Sequence, residues 1–237
     1  EPGDLVYTVG VDPLQPTLPN IMKFVVQAVP GHTAALPGTL RPVLRIPEAE
    51  AVQSRSFELA RTLAPGPCGG QHWTINGLHW NDVTEFPVLG TAEVWRFINR
   101  SETVHPMHMH LVQFQILDRQ PFVVQGDTIA LVGSPVPPQP YEAGWKDTAP
   151  VDPNEVLRVI ARFEGFTGRY AYHCHILEHE DHEMMRQFQT IQCGDGELDV
   201  TEGCDDGTAN GTPGSCCTTA CTVVANGTAC SDGNTCT

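Results

Sequence analysis

The chain has 237 residues, with 28 Asp and Glu against 13 Lys and Arg, a formal charge of −15 at neutral pH. That balance argues against a nucleic-acid partner, and no apolar run is long enough to span a bilayer. The length allows one or two domains, and a start at Glu1 without a basic-then-apolar leader reads as a cut made in processing or purification.

Residues 1–30 read as the end of a preceding domain. A short alternating strand, Leu5–Val9, is followed by a link containing Pro13, Pro16 and Pro19, then by an apolar strand over Ile21–Gln27. A free-standing domain rarely opens on such an unpaired edge. Residues 31–68 read as a connector, with turns at Pro37-Gly38 and Pro65-Gly-Pro67. Within it, Thr39–Ile46 is expected to turn into an extended piece, and Phe57–Leu63 to form a strand. Cys68 stands far from the other thiols, either free and buried or half of a disulfide.

From residue 69 to 192 short strands recur: His72–Ile75, Ala92–Asn99, Leu111–Asp118, Val156–Phe163 and Arg169–His175. Gly, Pro and Asn mark the turns between them, a spacing that predicts an all-β antiparallel sandwich. Val123–Thr148, with Pro135, Pro137, Pro138 and Pro140, reads as a long loop able to shape a substrate mouth. Leu177–Glu183 is expected to be a turn or short helix. Trp80 and Trp145 read as packing residues.

Composition changes abruptly after Gln192. Residues 193–237 hold seven Cys, seven acidic residues and no Lys or Arg. Such a segment cannot build an apolar core, so disulfides must hold it, which points to an exported protein, secreted or periplasmic. The Asp-Gly pairs at Asp195, Asp206 and Asp232 signal tight turns, and their carboxylates read as solvated rather than calcium-binding. With Cys174 set aside, the other eight cysteines permit four disulfides, and an end right after Cys236 leaves room for the tail to continue in the gene.

The chemistry is concentrated in two segments, His105-Pro-Met-His-Met-His110 and Arg169–Met185, which hold seven of the ten histidines. Side chains alternate along a strand, so His173 and His175 share one face and Cys174 takes the other. His108 and His110 likewise share a face, with His105 of opposite parity and Pro106 expected to bend the chain between them. Two His-x-His pairs therefore offer four imidazoles to one metal cluster. Cys174 and His105 are left for a separate site, to which His179 and Met184 can return if a turn follows the strand. Two imidazoles, one thiolate and a weak thioether form the blue-copper electron-transfer set. A copper site closed by the last strand favours a cupredoxin-like Greek key.

His-Pro-Met-His-Met-His and His173-Cys-His-Ile-Leu-Glu-His-Glu-Asp-His-Glu-Met-Met185 resemble the last two copper motifs of the multicopper oxidases. Asn76–Asp82, Leu111–Asp118, Gly144–Thr148 and Gly168–Tyr170 resemble the spore-coat laccase and bilirubin oxidase branch, over residues 1–192. The resemblance implies a type 1 copper on His105, Cys174, His179 and Met184. It implies a type 2 copper on His108 and a type 3 pair on His110, His173 and His175. It also places residues 1–30 at the junction of two cupredoxin domains. Cys193-Gly-Asp-Gly with Gly203-Cys-Asp-Asp-Gly207 resembles cysteine-rich repeats appended to exported myxobacterial and related proteins.

The implied reaction takes single electrons from phenols, aryl amines or bilirubin-type pigments at the type 1 copper and reduces O2 at the trinuclear cluster. Because Cys174 lies between His173 and His175, the backbone connects the two centres. Glu180 is the favoured proton donor, with second-shell partner of an imidazole as its alternative role; Glu178 is the other carboxylate beside His179. His32, His72 and His79 have no partners in sequence, and His182 reads as exposed. The family's cluster uses eight imidazoles and this chain supplies four, so the expectation is a second polypeptide segment carrying the rest; alone, the chain should bind type 1 copper at most. A Cu(I) or Fe(II) oxidase is the runner-up, but five methionines leave no Met-rich insert for capturing soft metal. An electron carrier is the other alternative, and it would leave His108, His110, His173 and His175 without a role.

Overall fold

The computed structural model describes residues 4–6, 23–25, 31, 35, 37–38, 42–63 and 70–225. The chain divides into two compact units, residues 1–42 and 43–237. In the first, β1 (Asp4–Val6) pairs antiparallel with β2 (Lys23–Val25), Leu5 facing Phe24. The rest of each strand expected there lies outside the described residues. His32 and Cys68 lie outside the described residues.

The second unit is built from β3 (Ala51–Leu63), β4 (Gln71–Ile75), β5 (Ala92–Asn99), β6 (His105–Met109), β7 (Phe114–Gln125), β8 (Thr128–Leu131), β9 (Thr148–Val151), β10 (Glu155–Arg162), β11 (Gly168–Cys174) and β12 (Met185–Thr190). They form a six-stranded sheet in the order β4-β3-β5-β10-β7-β8 and a four-stranded sheet in the order β12-β11-β6-β9. This is the all-β, cupredoxin-like sandwich expected. One short α-helix, α1 (Leu177–Glu180), occurs among the described residues, and no helix there is long and apolar enough to cross a membrane.

The core follows from alternation along β5. Trp95 and Phe97 point between the sheets, joined by Phe57, Phe114, Phe163, Tyr172 and Phe188, all fully buried. Fully burying an apolar side chain of this kind stabilises a fold by about 1.5–3 kcal/mol. The opposite face of β5 presents Ala92 and Val94, which with Ile160 are covered by Ile46. The Val43–Pro47 segment is strapped there by Ile46 N–H donating to Gln115 Oε1 (2.9 Å) and Arg45 Nη2 donating to Ile116 O (2.6 Å).

Several elements differ from the sequence reading. The strand expected at Phe57–Leu63 is present but starts earlier, as β3 from Ala51, an inner strand that pairs parallel with β5 and antiparallel with β4. The supposed loop at Val123–Thr148 contains the end of β7 and all of β8, because β7 continues into a hairpin. Pro106 does not interrupt the strand: it lies opposite Pro150 in the β6–β9 ladder, and its carbonyl accepts from His175 N–H at 2.7 Å. Trp145 packs beside Ile160, but Trp80 is 42% exposed and is no core residue.

The tail is held as expected, by Cys193–Cys221 and Cys204–Cys217, and Cys216 is disulfide-bonded as well. Gln189 Nε2 of β12 donates to Asp199 Oδ1 at 3.0 Å, tying the tail to the sandwich.

Candidate metal centres

Register sets the site. β11 runs antiparallel to β6 with His173 opposite His108 and Cys174 opposite Met107. Partners across a ladder share a face, so His108 and His173 lie together on one side, while Cys174, Met107 and His105 face the core. After Cys174 the chain makes the single turn of α1 and returns: Met184 N–H donates to His179 O, and Cys174 N–H to Met184 O, both 3.0 Å. His179 and Met184 are thereby brought back against Cys174.

In the core-facing centre, Cys174 Sγ lies 3.6 Å from His105 Nδ1 and 3.7 Å from His179 Nδ1, and the two nitrogens are 3.2 Å apart. Three ligands around one ion in a plane, with N and S bonds of ~2.05 and ~2.3 Å, would stand roughly 3.5 and 3.8 Å from one another. The donor set therefore fits one transition-metal ion. Cys174, His105 and Met184 are fully buried, and Cys174 is the free cysteine among the described residues.

Electrostatics here favour neutral groups until a metal arrives. Burial, then His179 and Arg61, pull His105 down to about 3. Burial, with Glu180 adding to it, pushes the Cys174 thiol up to about 11. Burial and Arg61 also lower His179. At neutral pH the imidazoles are ready as ligands, while the thiol must release a proton to the incoming ion.

The surroundings fix the rings. Ser101 Oγ lies 2.8 Å from His105 Nε2, and Ser101 also lies 2.7 Å from Asn99 Oδ1, to which its hydroxyl donates. The His105 Nε2–H then donates to Ser101, leaving the Nδ1 lone pair for the metal. Trp73 packs on His179 and His105, with ring centroids 4.3 and 5.0 Å away, and the Arg61 guanidinium sits 4.2 Å over its far face. Sequence reading missed Ser101, Asn99, Trp73 and Arg61, because they come from β3, β4 and the end of β5 and carry no motif of their own.

On the opposite face His108, His110 and His173 offer nitrogens within 4.8 Å of one another, with His110 Nε2 and His173 Nε2 at 3.3 Å. Burial, then the neighbouring His108 and His173, lower His110. His175 is exposed at the edge, its ring centroid 5.5 Å from His108 and 5.6 Å from His173. His108 Nδ1–H donates to Asp147 O at 2.8 Å, with Thr148 Oγ1 at 3.0 Å. His173 Nδ1–H faces Cys174 O at 3.0 Å and Glu180 Oε2 at 3.1 Å. Both rings thus turn Nε2 toward the cluster, and the Glu180 carboxylate holds the outer nitrogen of His173.

His182 is exposed, as expected. Two of the histidines without partners in sequence have them in space: His79 faces Glu183 at 3.2 Å, and His72 lies against His182. A third grouping, Cys193, Glu202 and Cys221, is no metal site, since its sulfurs form a disulfide.

A multicopper oxidase family model matches residues 59–192, which takes in both centres. The chain belongs to the multicopper oxidases. Copper is the cofactor of that family, with type 1 and trinuclear sites typical of it, and the donor sets here fit it. The chain is 40% identical over 193 residues to a laccase of Bacillus stratosphericus, covering 77% of this chain and 37% of that one. It is 34% identical over 207 residues to the bilirubin oxidase of Albifimbria verrucaria, covering 84% and 33%. Among solved structures, a laccase from Pediococcus acidilactici superposes with a TM-score of 0.54 at 26% identity, over 73% of this chain and 34% of that one. The multicopper oxidase chain therefore spans little more than a third of these relatives.

Proposed function

We propose that this chain is the C-terminal part of a laccase-like oxidase. In this reading His105, Cys174, His179 and Met184 hold a type 1 copper, His108 a type 2 copper, and His110, His173 and His175 the type 3 pair. One observation carries the reading: a buried thiolate-imidazole triad with ligand spacing lies back to back with an imidazole cluster, on adjacent residues of one strand. Bound copper supplies one-electron oxidation of a donor at the first centre and reduction of O2 at the second.

The protein's own contributions follow from geometry. Cys174 is covalently continuous with His173 and His175, so the peptide backbone of β11 is the shortest connection between the two faces. Glu180 orients His173 through its Nδ1–H and is a carboxylate positioned to pass a proton toward that face. Half-buried His179 is the least enclosed of the three ligands and marks where a donor approaches. Small phenols, aryl amines or bilirubin-type pigments are the proposed donors, on the strength of the laccase and bilirubin oxidase relatives. The remaining imidazoles come from N-terminal domains of the same enzyme, as a preceding segment or a separate polypeptide; exposed His175 and the greater length of the relatives support this. Residues 1–30 are then the end of the domain before. The disulfides of the tail support an exported, extracellular or periplasmic location.

The test is copper per chain, measured beside a denaturing gel. The isolated chain should hold about one tightly bound copper with thiolate-to-metal absorption, and about four when the histidine-bearing remainder is present. Full copper binding by a Cys174→Ser variant would sink the assignment.

A further inference from the structure

Outside both copper centres, His72 and His182 stand as a second pair of facing imidazoles. Trp73 turns inward onto His179 and His105, so its neighbour His72 projects from the other face of β4, away from the core-facing centre. His182 lies on the loop between His179 and Met184 and is exposed. The two rings have centroids 4.7 Å apart at an interplanar angle of 42°.

The molecule provides its own scale for that spacing. The ring pair proposed to share an ion in the core-facing centre, His105–His179, lies at 5.1 Å and 55°. Metal–nitrogen bonds of ~2.0–2.1 Å put two imidazoles that share an ion roughly 4.5–5.2 Å apart, centroid to centroid. His72 and His182 fall inside that range.

A second observation is independent of the ring spacing. His72 Nδ1 is buried and has no hydrogen-bond partner. Native structures rarely leave such a nitrogen without a partner, and an ordered water or a bound ion is what supplies one. One residue beyond His182, Glu183 adopts a left-handed backbone (φ 75°) while its carboxylate reaches His79 at 3.2 Å. That contact holds the same loop against the turn that follows β4.

We propose that His72 and His182 form an exchangeable site for a borderline divalent transition ion, the class that two neutral imidazoles select. Solvent completes the coordination on the exposed His182 side. An ion held there clamps β4, which carries Trp73, to the loop that carries His179 and Met184. Occupancy therefore stiffens the walls of the core-facing centre without entering it.

The experiment is Zn2+ titration of the full chain by calorimetry, comparing wild type with His182→Ala and His72→Gln. The imidazole cluster also takes Zn2+, so the readout is the difference in stoichiometry between proteins. Each variant should bind one equivalent fewer than wild type, and the Zn2+-induced rise in Tm should shrink in both. The same equivalent should persist in a Cys174→Ser chain, which separates this site from the copper assignment. His182 is exposed, so its replacement leaves the fold intact. Unchanged stoichiometry in His182→Ala would identify the two rings as a stacked pair and overturn the proposal.

Discussion

Ser101→Ala tests whether the buried imidazole of the core-facing centre is held by its outer partner. His105 is fully buried, and its Nε2 meets Ser101 Oγ at 2.8 Å. The same oxygen accepts from Thr103 N–H at 3.3 Å and lies 3.1 Å from Thr103 O. Removing it leaves a buried ring N–H unpaired, which costs about 1–3 kcal/mol of stability. Freed of its partner, the ring also loses its fixed tautomer and orientation, and copper affinity should fall about 10–100-fold. Chelator competition followed through the thiolate-to-copper absorption measures the affinity, and urea unfolding of the metal-free chain measures the stability. Ser101→Thr keeps the hydroxyl and should restore most of both. A folded Ser101→Ala protein with wild-type copper affinity would refute the argument that the hydroxyl positions His105.

The other predictions concern neighbouring groups. Met184→Leu removes the proposed weak axial thioether and should raise the type 1 potential, read by redox titration; an unchanged potential counts against that ligand. Glu180→Gln should slow turnover of the completed enzyme and alter its pH profile if the carboxylate passes protons; normal turnover would leave it only a partner for His173. Trp73→Ala should destabilise the chain by about 3–5 kcal/mol, the usual cost of emptying a buried aromatic site, measured from denaturant midpoints. The metal-free chain should weaken on acidification. Because folded His105 is held near 3, the unfolded chain binds the extra proton, and stability falls as pH drops below about 6.5, by about 2 kcal/mol at pH 5. A His105→Gln chain should lose that part of the pH dependence.

Much of the fold was legible because the inner strands carry strong local signals. The alternation of Ala92–Asn99 and the β-branched run at Val156–Phe163 gave β5 and β10 almost to the residue. What stayed hidden depends on partners. The first half of β3 reads as polar, with Gln53, Ser54 and Ser56, and is a strand only because β5 lies parallel beside it. β8 and β9 sit among prolines and are short, and β12 begins inside the histidine-rich motif. The ligand pattern was readable because residue parity alone puts Cys174 and His173 on opposite faces. The groups that orient the ligands were not, since Ser101, four residues before His105, carries no motif of its own and Trp73 approaches on a strand distant in sequence.

The core-facing centre is assembled from distant parts of the chain, and this governs when it can be filled. His105 and His179 are separated by 74 residues. At a synthesis rate of about 5–20 residues per second, roughly 4–15 s pass between the appearance of one ligand and the other. For most of that interval β6 lacks β11, the strand that brings Cys174 opposite Met107. Filling of the proposed copper centre is therefore a late event in the life of the polypeptide, after translation of the sandwich is nearly finished. Once the sandwich has closed, the metal-free Cys174 is a protonated thiol in an apolar interior, a form that resists both oxidation and capture of stray ions.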